Sequence, residues 1–376
     1  MAHATNETIV GWVSEPDTRG TASLLFSCVS TIIICISSAV HLDVPFTPPS
    51  RIKKTGRQIG NLLLALIAPE WFALLAYVDW TGARFISKKQ RADKVRTCHW
   101  DLSLSFFVQM GGVLVQDTTG LKIRLPPDKV QVFYDNKWLN PDQLTFEMVG
   151  DKSKANWLSK AVASIQIIWF LSQSIGRATS HLSVATIELF TLAYVTCAFW
   201  MYGFWWSKPY DVSVPLTLTT NESFTPAERE KIIKKSEYER SEIEGKNGFR
   251  PPWQSHHFLA GVTCCALFSV CHLLGWNATF PTPIERLLWR IASVICFLAP
   301  LGFFLVTDDF LEEWSKREGK VPSEARKVIR WILVALVISF YCLARLFLLF
   351  EVFFALRKVP ADVYITPRWS QILPHL

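Results

Sequence analysis

Few side chains in this 376-residue chain pair chemical capability with a setting that makes a charge costly. Glu70 follows Pro69 inside an apolar run, Ala68-Pro69-Glu70-Trp71. A proline removes a backbone hydrogen bond, so a carboxyl there could meet the open carbonyls of a broken helix, as in the midplane sites of membrane proteins. The simpler reading is a boundary glutamate that caps the half-helix after the proline. Gln166, Gln173 and Arg177 are spaced by seven and four and share one helix face. Glu188 follows across a short turn, about one turn into the next helix, so Arg177 and Glu188 are expected to pair. That pair is first a bridge between two helices and second a substrate or ion site. Arg345 sits midway along the last apolar stretch and calls for a carboxylate. Glu70, Glu188 and Glu351 compete for it, although Glu351 lies six residues away and roughly 120° around the same helix.

Other groups offer weaker chemistry. Asp308-Asp309-Phe310-Leu311-Glu312-Glu313 gathers four carboxylates at one end of a span and could hold magnesium and a diphosphate. No second acidic motif of that type accompanies it, and a solvated helix end explains it more simply. His99 with Asp101, and His256-His257, are the remaining acid/base candidates. They do not form the HxxxH and HxxHH boxes of di-iron membrane oxygenases. The chain has no P-loop, GxGxxG, GxSxG or HExxH, so the soluble ATPase, dehydrogenase, serine hydrolase and zincin readings lose their main signals. No metal site and no cofactor is indicated. Were the protein an enzyme, Glu70, Glu188, Asp308 and Asp309 would be its candidate acids, with Arg177 stabilising charge.

These residues must be positioned by membrane helices. Half of the chain is hydrophobic and only 19% is charged, against about 25% in soluble domains, which excludes a disordered protein. The apolar residues fall in long runs: Ala22 to Val40, Leu158 to Ile175, Val184 to Trp206, Phe258 to Trp276, Leu287 to Val306 and Ile329 to Leu356. Each is long enough to cross a hydrocarbon core of roughly 30 Å, and only helices satisfy their backbone there. Ile59 to Trp80, interrupted by Pro69-Glu70, is either a kinked span or a re-entrant hairpin. Arg51, Lys53, Lys54 and Arg57 precede it, and Arg84, Lys88, Lys89, Arg91, Lys94 and Arg96 follow it, so both flanks favour the cytosol. Without a crossing the N-terminus is outside; with one it is inside. In both arrangements 81–157, 207–257 and 307–328 are cytosolic and the C-terminus is outside.

The predicted organisation is a polar segment at 1–21, a span plus the interrupted segment at 22–80, and an interfacial insertion at 81–157. A helical hairpin follows at 158–206, then a charged loop at 207–257, three spans at 258–356 and a tail at 357–376. The first apolar run has no basic leader or cleavage site and reads as a retained anchor. The net charge of +7 fits cytosolic loops better than nucleic acid. Eight of the nine cysteines fall in apolar runs as small hydrophobes, and only Cys98 lies in a polar linker, where it could be palmitoylated. Leu102 to Val115, broken by Gly111-Gly112, is too short to span and reads as interfacial or re-entrant. Lys122 to Phe133 reads as a short strand or hairpin. Thr225-Pro226-Ala227-Glu228 starts a solvated helix. Among the sequons at Asn6, Asn221 and Asn277, Asn6 is the informative glycosylation candidate.

A wider pattern runs through Gly150-Asp151-Lys152-Ser153-Lys154, Leu158-Ser159-Lys160, Gln166, Trp169-Phe170, Gln173, Arg177, Glu188 and Trp205-Trp206-Ser207-Lys208-Pro209. It extends to Asp17-Thr18-Arg19-Gly20-Thr21, His41-Leu42-Asp43-Val44-Pro45, Ala68-Pro69-Glu70, Trp369 and Pro374-His375. In these residues the chain resembles a large group of fungal multi-pass membrane proteins, with Val113 where that pattern usually has a residue like Phe. The resemblance implies many paralogues, sometimes beside specialised-metabolism enzymes, and no defined activity.

The expectation is an all-α polytopic transmembrane helix bundle of six or seven spans with a small mixed cytosolic insertion. Its partners are the lipid bilayer and an apolar small molecule, not nucleic acid. The leading function is a membrane component that binds or organises a lipid-like molecule. The alternatives are a membrane-embedded acid/base or cyclase-type enzyme of terpenoid or polyketide metabolism, and a transporter.

Overall fold

The computed structural model describes residues 8–15, 19–92, 100–120, 122–127, 130–135, 137–138, 156–220, 256–307 and 323–366. In chain order these form β1 (Ile9–Val10), α1 (Thr21–Ala39), α2 (Arg51–Ile67), α3 (Pro69–Ala92), α4 (Leu102–Gln109), β2 (Val113–Gln116), β3 (Lys122–Arg124) and α5 (Val130–Asp135). There follow α6 (Asn156–Thr179), α7 (Thr186–Trp205), β4 (Leu216–Thr219), α8 (His256–Leu273), α9 (Pro283–Thr307), α10 (Ser323–Phe354) and β5 (Val359–Pro360).

Five helices, α1, α7, α8, α9 and α10, are long and apolar enough to cross a membrane; α2 and α3 pass only as a pair bent through 107°. α6, where Leu158 to Ile175 is expected to cross, is not among these apolar helices, although its 24 residues extend about 36 Å at 1.5 Å per residue alongside α1 and α7. Serine and threonine hydroxyls in α1 donate back along the helix, as from Thr31 to Ser27 O at 2.6 Å, so they enter an apolar setting already satisfied. α7 is the central helix. Its apolar window is 67% buried, against 22% for α9 and α10, which turn most of their side chains outward. Phe26, Phe199, Trp331 and Leu343 are all exposed, as lipid-facing side chains should be.

The bundle has two distinct ends. At the terminal end β1 pairs antiparallel with β5, Thr21 Oγ1 donates to Tyr364 Oη at 3.0 Å, and Arg357 meets Glu285 at 2.8 Å. At the opposite, basic end Lys54 of α2 meets Asp211 at 2.8 Å, and Asp79 of α3 meets Lys208 at 2.7 Å. Between those two points α2 and α3 reach the middle of the bundle, where Tyr194, midway along α7, donates to Leu66 O. The chain therefore enters and leaves by the same end. Of the two arrangements open to Ile59–Trp80, the geometry is that of a re-entrant hairpin.

A small mixed unit covers the basic end. Its sheet has the order β3-β2-β4, with β2 antiparallel to β3 and parallel to β4. Trp100, Leu104, Phe107, Val113, Val115, Phe133 and Leu218 form its core. The expectation that Leu102–Val115 is an interfacial or re-entrant piece is corrected here. It is a helix, a turn and the central strand, and its apolar side chains face protein. The turn is closed by Gly112 N–H donating to Phe107 O at 2.8 Å, with Gly111 at φ +79°, the left-handed geometry that ends many helices. A Cβ on Gly112 would lie 2.6 Å from Phe107 O, so the second glycine is required by contact. The 122–133 segment holds β3 and the start of α5 rather than a hairpin of its own.

Single cysteines at Lys53 and Lys88, in a Cys98→Ser background, report on the hairpin. In sealed vesicles an impermeant maleimide should modify both from the same side. Modification from opposite sides would mean that the segment crosses.

Candidate functional site at the helix break

Pro69 has no N–H for Ala65 O, and the backbone turns at Ala68, so the N–H groups that follow no longer reach the Leu66 and Ile67 carbonyls. The last α2 bond runs from Ala68 N–H to Leu64 O at 2.8 Å. Side chains from two other helices, α7 and α10, supply the missing donors. Arg345 of α10 donates from Nε to Ile67 O at 2.8 Å and from Nη2 to Tyr194 Oη at 2.8 Å, with Leu66 O at 3.5 Å. Its Nη1 lies 3.5 Å from His272 Nε2, while His272 Nδ1 lies 3.1 Å from Phe268 O. That arrangement places the imidazole proton on Nδ1 and the lone pair toward the guanidinium. The cation also stands 4.3 Å above the Phe268 ring. Arg345 thus makes no ion pair with Glu70, Glu188 or Glu351 among the described residues, contrary to the sequence expectation. Carbonyls at a helix C-terminus carry the negative end of its dipole and receive the cation instead.

Glu70 begins α3 and is buried. Tyr341 Oη shares its one hydrogen between two acceptors, the Glu70 carboxyl oxygen Oε1 and Ile67 O at 3.0 Å. The other carboxyl oxygen, Oε2, is buried without a hydrogen-bond partner among the described residues. Glu351 is also buried, with Oε1 lacking a hydrogen-bond partner.

A second cluster ties the terminal end together. Glu188 caps α7 by accepting from Ala185 N–H at 2.9 Å. Arg19 donates to its Oε1 at 2.7 Å, whereas Arg177 Nε stands 3.7 Å from Oε2. Arg177 spends its stronger bonds on carbonyls, those of Ser183 at 2.6 Å, Ile365 at 2.8 Å and Asp362 at 3.0 Å. Asp362 in turn accepts from Ser183 N–H and Oγ. Arg19 was not among the residues expected here; its only sequence signal was its place in Asp17-Thr18-Arg19-Gly20-Thr21. Gln166 donates to Thr31 of α1 at 2.8 Å, and Gln173 is half-buried on the same helix.

At the basic end Lys208 is buried against Asp79 at 2.7 Å and Asp43 at 3.4 Å, above the Trp205 ring at 4.7 Å. Trp205 Nε1 also donates to Asp79, at 3.0 Å. His41 packs on Trp205 and Tyr210 with its Nε2 unpartnered. Burial, with Lys160 and Lys208 nearby, pushes its imidazole down to about 3. Beside this cluster a groove of about 360 Å³ opens between α1 and α6, lined by Ile34, Ser37, Ser38, Leu158, Ser159 and Val162.

The described cysteines carry no disulfide, and no group of three metal-ligating side chains occurs among the described residues. Asp308, Asp309, Glu312, Glu313, His99, Cys98, Asn6, Asn221 and the helix predicted after Thr225 lie outside the described residues.

Two measurements check this geometry. In double-mutant cycles on the detergent-solubilised protein, Arg19→Ala with Glu188→Ala should show coupling of about 1–3 kcal/mol, exceeding that of Arg177→Ala with Glu188→Ala. His41 stays neutral in the folded chain down to about 3 but takes a proton near 6.5 when unfolded. Stability should therefore fall as pH drops through that interval, by up to about 1.4 kcal/mol per pH unit. His41→Gln should melt with a shallower pH dependence, and an unchanged slope would remove His41 as the cause.

No curated protein and no solved structure matches the chain. A family model does, over residues 1–227 and 257–376, leaving out only 228–256. By that match the chain belongs to a family of unknown function, DUF8562.

Proposed function

We propose that this protein is an integral membrane component that holds an apolar, lipid-like small molecule in the groove between α1 and α6. The groove itself is the observation that carries this reading. It opens toward the lipid at the basic end of the bundle, with Ile34, Leu158 and Val162 as apolar wall and three serines beside them. Ligand sites are mostly apolar with a few polar groups that fix orientation. The charged residues of the interior, by contrast, are largely spent on one another and on backbone carbonyls, which suits a role in holding the bundle. Basic residues at both ends of the re-entrant hairpin favour a cytosolic basic end. The termini then lie on the other side, with Asn6 open to glycosylation.

A photoreactive analogue with a diazirine in its acyl chain tests the groove. Peptides from α1 and α6 should be labelled preferentially, and Val162→Trp, which fills the groove from a half-exposed position, should lower that labelling several-fold. Uniform labelling of all lipid-facing helices, unchanged in the variant, would overturn the reading.

One observation favours a second reading, an acid/base enzyme. Beside Tyr341, Glu70 keeps a buried oxygen without a hydrogen-bond partner among the described residues. In that case a Glu70→Gln strain should lose a metabolite or accumulate its precursor, and an unchanged profile would sink the idea.

A further inference from the structure

The hairpin that carries the helix break is unlike the other membrane segments in its charge. α2 has four cations, Arg51, Lys53, Lys54 and Arg57, and no acidic residue. Only Ala65 of its 17 residues is buried. Two of the four cations are committed: Lys54 to Asp211, and Arg57 to the Asp43 carbonyl. Arg51 and Lys53 are exposed and make no ion pair among the described residues. Beyond Asp79, where α3 meets the same end of the bundle, Arg84, Lys88 and Lys89 are likewise exposed and make no ion pair among the described residues, although Arg84 stacks on the Trp80 ring at 4.6 Å. Large apolar side chains alternate with these cations. Ile52 is 86% exposed and Phe85 66% exposed.

Cations interleaved with exposed apolar side chains, at the depth where a hairpin leaves the bilayer, match the boundary between headgroups and acyl chains. The apolar groups need hydrocarbon, and the cations need an anionic partner that the described residues do not supply. We propose that the start of α2 and the exit of α3, on arms that diverge from the break, form a divided seat for anionic phospholipid headgroups in the leaflet at the basic end. The charge complementarity selects the occupant: a zwitterionic headgroup brings no net charge to neutralise Arg51, Lys53, Lys88 and Lys89. This seat is separate from the groove between α1 and α6 and does not depend on it.

Each basic residue near an anionic surface contributes about fivefold in association at moderate salt. The full chain, reconstituted in phosphatidylcholine, should therefore restrict spin-labelled phosphatidylserine several-fold more than spin-labelled phosphatidylcholine. The preference should fall as potassium chloride is raised. It should persist when chloride is exchanged for inorganic phosphate at equal ionic strength. The combined variant Arg51→Gln, Lys53→Gln, Lys88→Gln and Lys89→Gln should bring the two lipids close to parity, while Arg51→Lys, Lys53→Arg, Lys88→Arg and Lys89→Arg together should keep the preference. Parity in the unaltered chain, a preference that survives the glutamine variant, or loss of the preference to inorganic phosphate would each overturn the proposal; the last would assign the cations to a free anion.

Discussion

A proline in the middle of a membrane segment leaves backbone carbonyls without donors, and hydrocarbon offers none. Everything around the hairpin follows from that deficit. Leu66 and Ile67 present their carbonyls to the bundle interior, and each unsatisfied group there would cost several kcal/mol. Arg345 is suited to the task because its planar guanidinium sends donors in several directions at once, which an ammonium group cannot do with the same fixed geometry. Tyr194 and Tyr341 complete the set from two different helices. A fully buried cation is then tolerable because carbonyl dipoles, phenol oxygens, an imidazole lone pair and an aromatic face surround it.

α7 carries this logic along its whole length. Glu188 near its start holds the terminal end, Tyr194 midway holds the break, and Trp205 at its last turn joins the Lys208 and Asp79 cluster. The helix is also the most enclosed of the bundle. A central helix with a polar contact at each of three depths sets the register of its neighbours more firmly than apolar packing alone, because apolar surfaces tolerate sliding and hydrogen bonds do not. Several described residues of the resembled pattern gather at these same three levels: Arg19 and Glu188, Pro69 and Glu70, His41 with Trp205 and Lys208.

Some of the site was legible before the fold was known. Arg177 and Glu188 flank a short turn, and local geometry alone brings them to 3.7 Å. Arg19 comes closer to Glu188 although it lies 169 residues away, because the N-terminal strand folds back on β5. That approach has no local signature. The partner of Arg345 illustrates a different gap. Side chains were weighed as its counter-charge, whereas the backbone of a broken helix supplied the acceptors, and a sequence lists side chains only. Leu102–Val115 shows a third. Short apolar stretches have the same composition whether lipid or a small protein core covers them, so only the sheet that receives β2 decides between the two.

Run length and the placement of charge within apolar stretches are properties of local composition that a bilayer reads directly, so the solvent, most of the membrane helices and the costly residues are legible in the order of residues alone. The interruption at Pro69 is legible there too, because a missing N–H is written in one residue. Only packing brings both arms of the interrupted segment to the basic end of the bundle, gives Glu188 to Arg19, and opens a groove between α1 and α6. Each of those depends on which helices become neighbours. In a bilayer that choice is made by packing and by scattered hydrogen bonds across long stretches of chain, and neither leaves a periodic trace in the order of the residues.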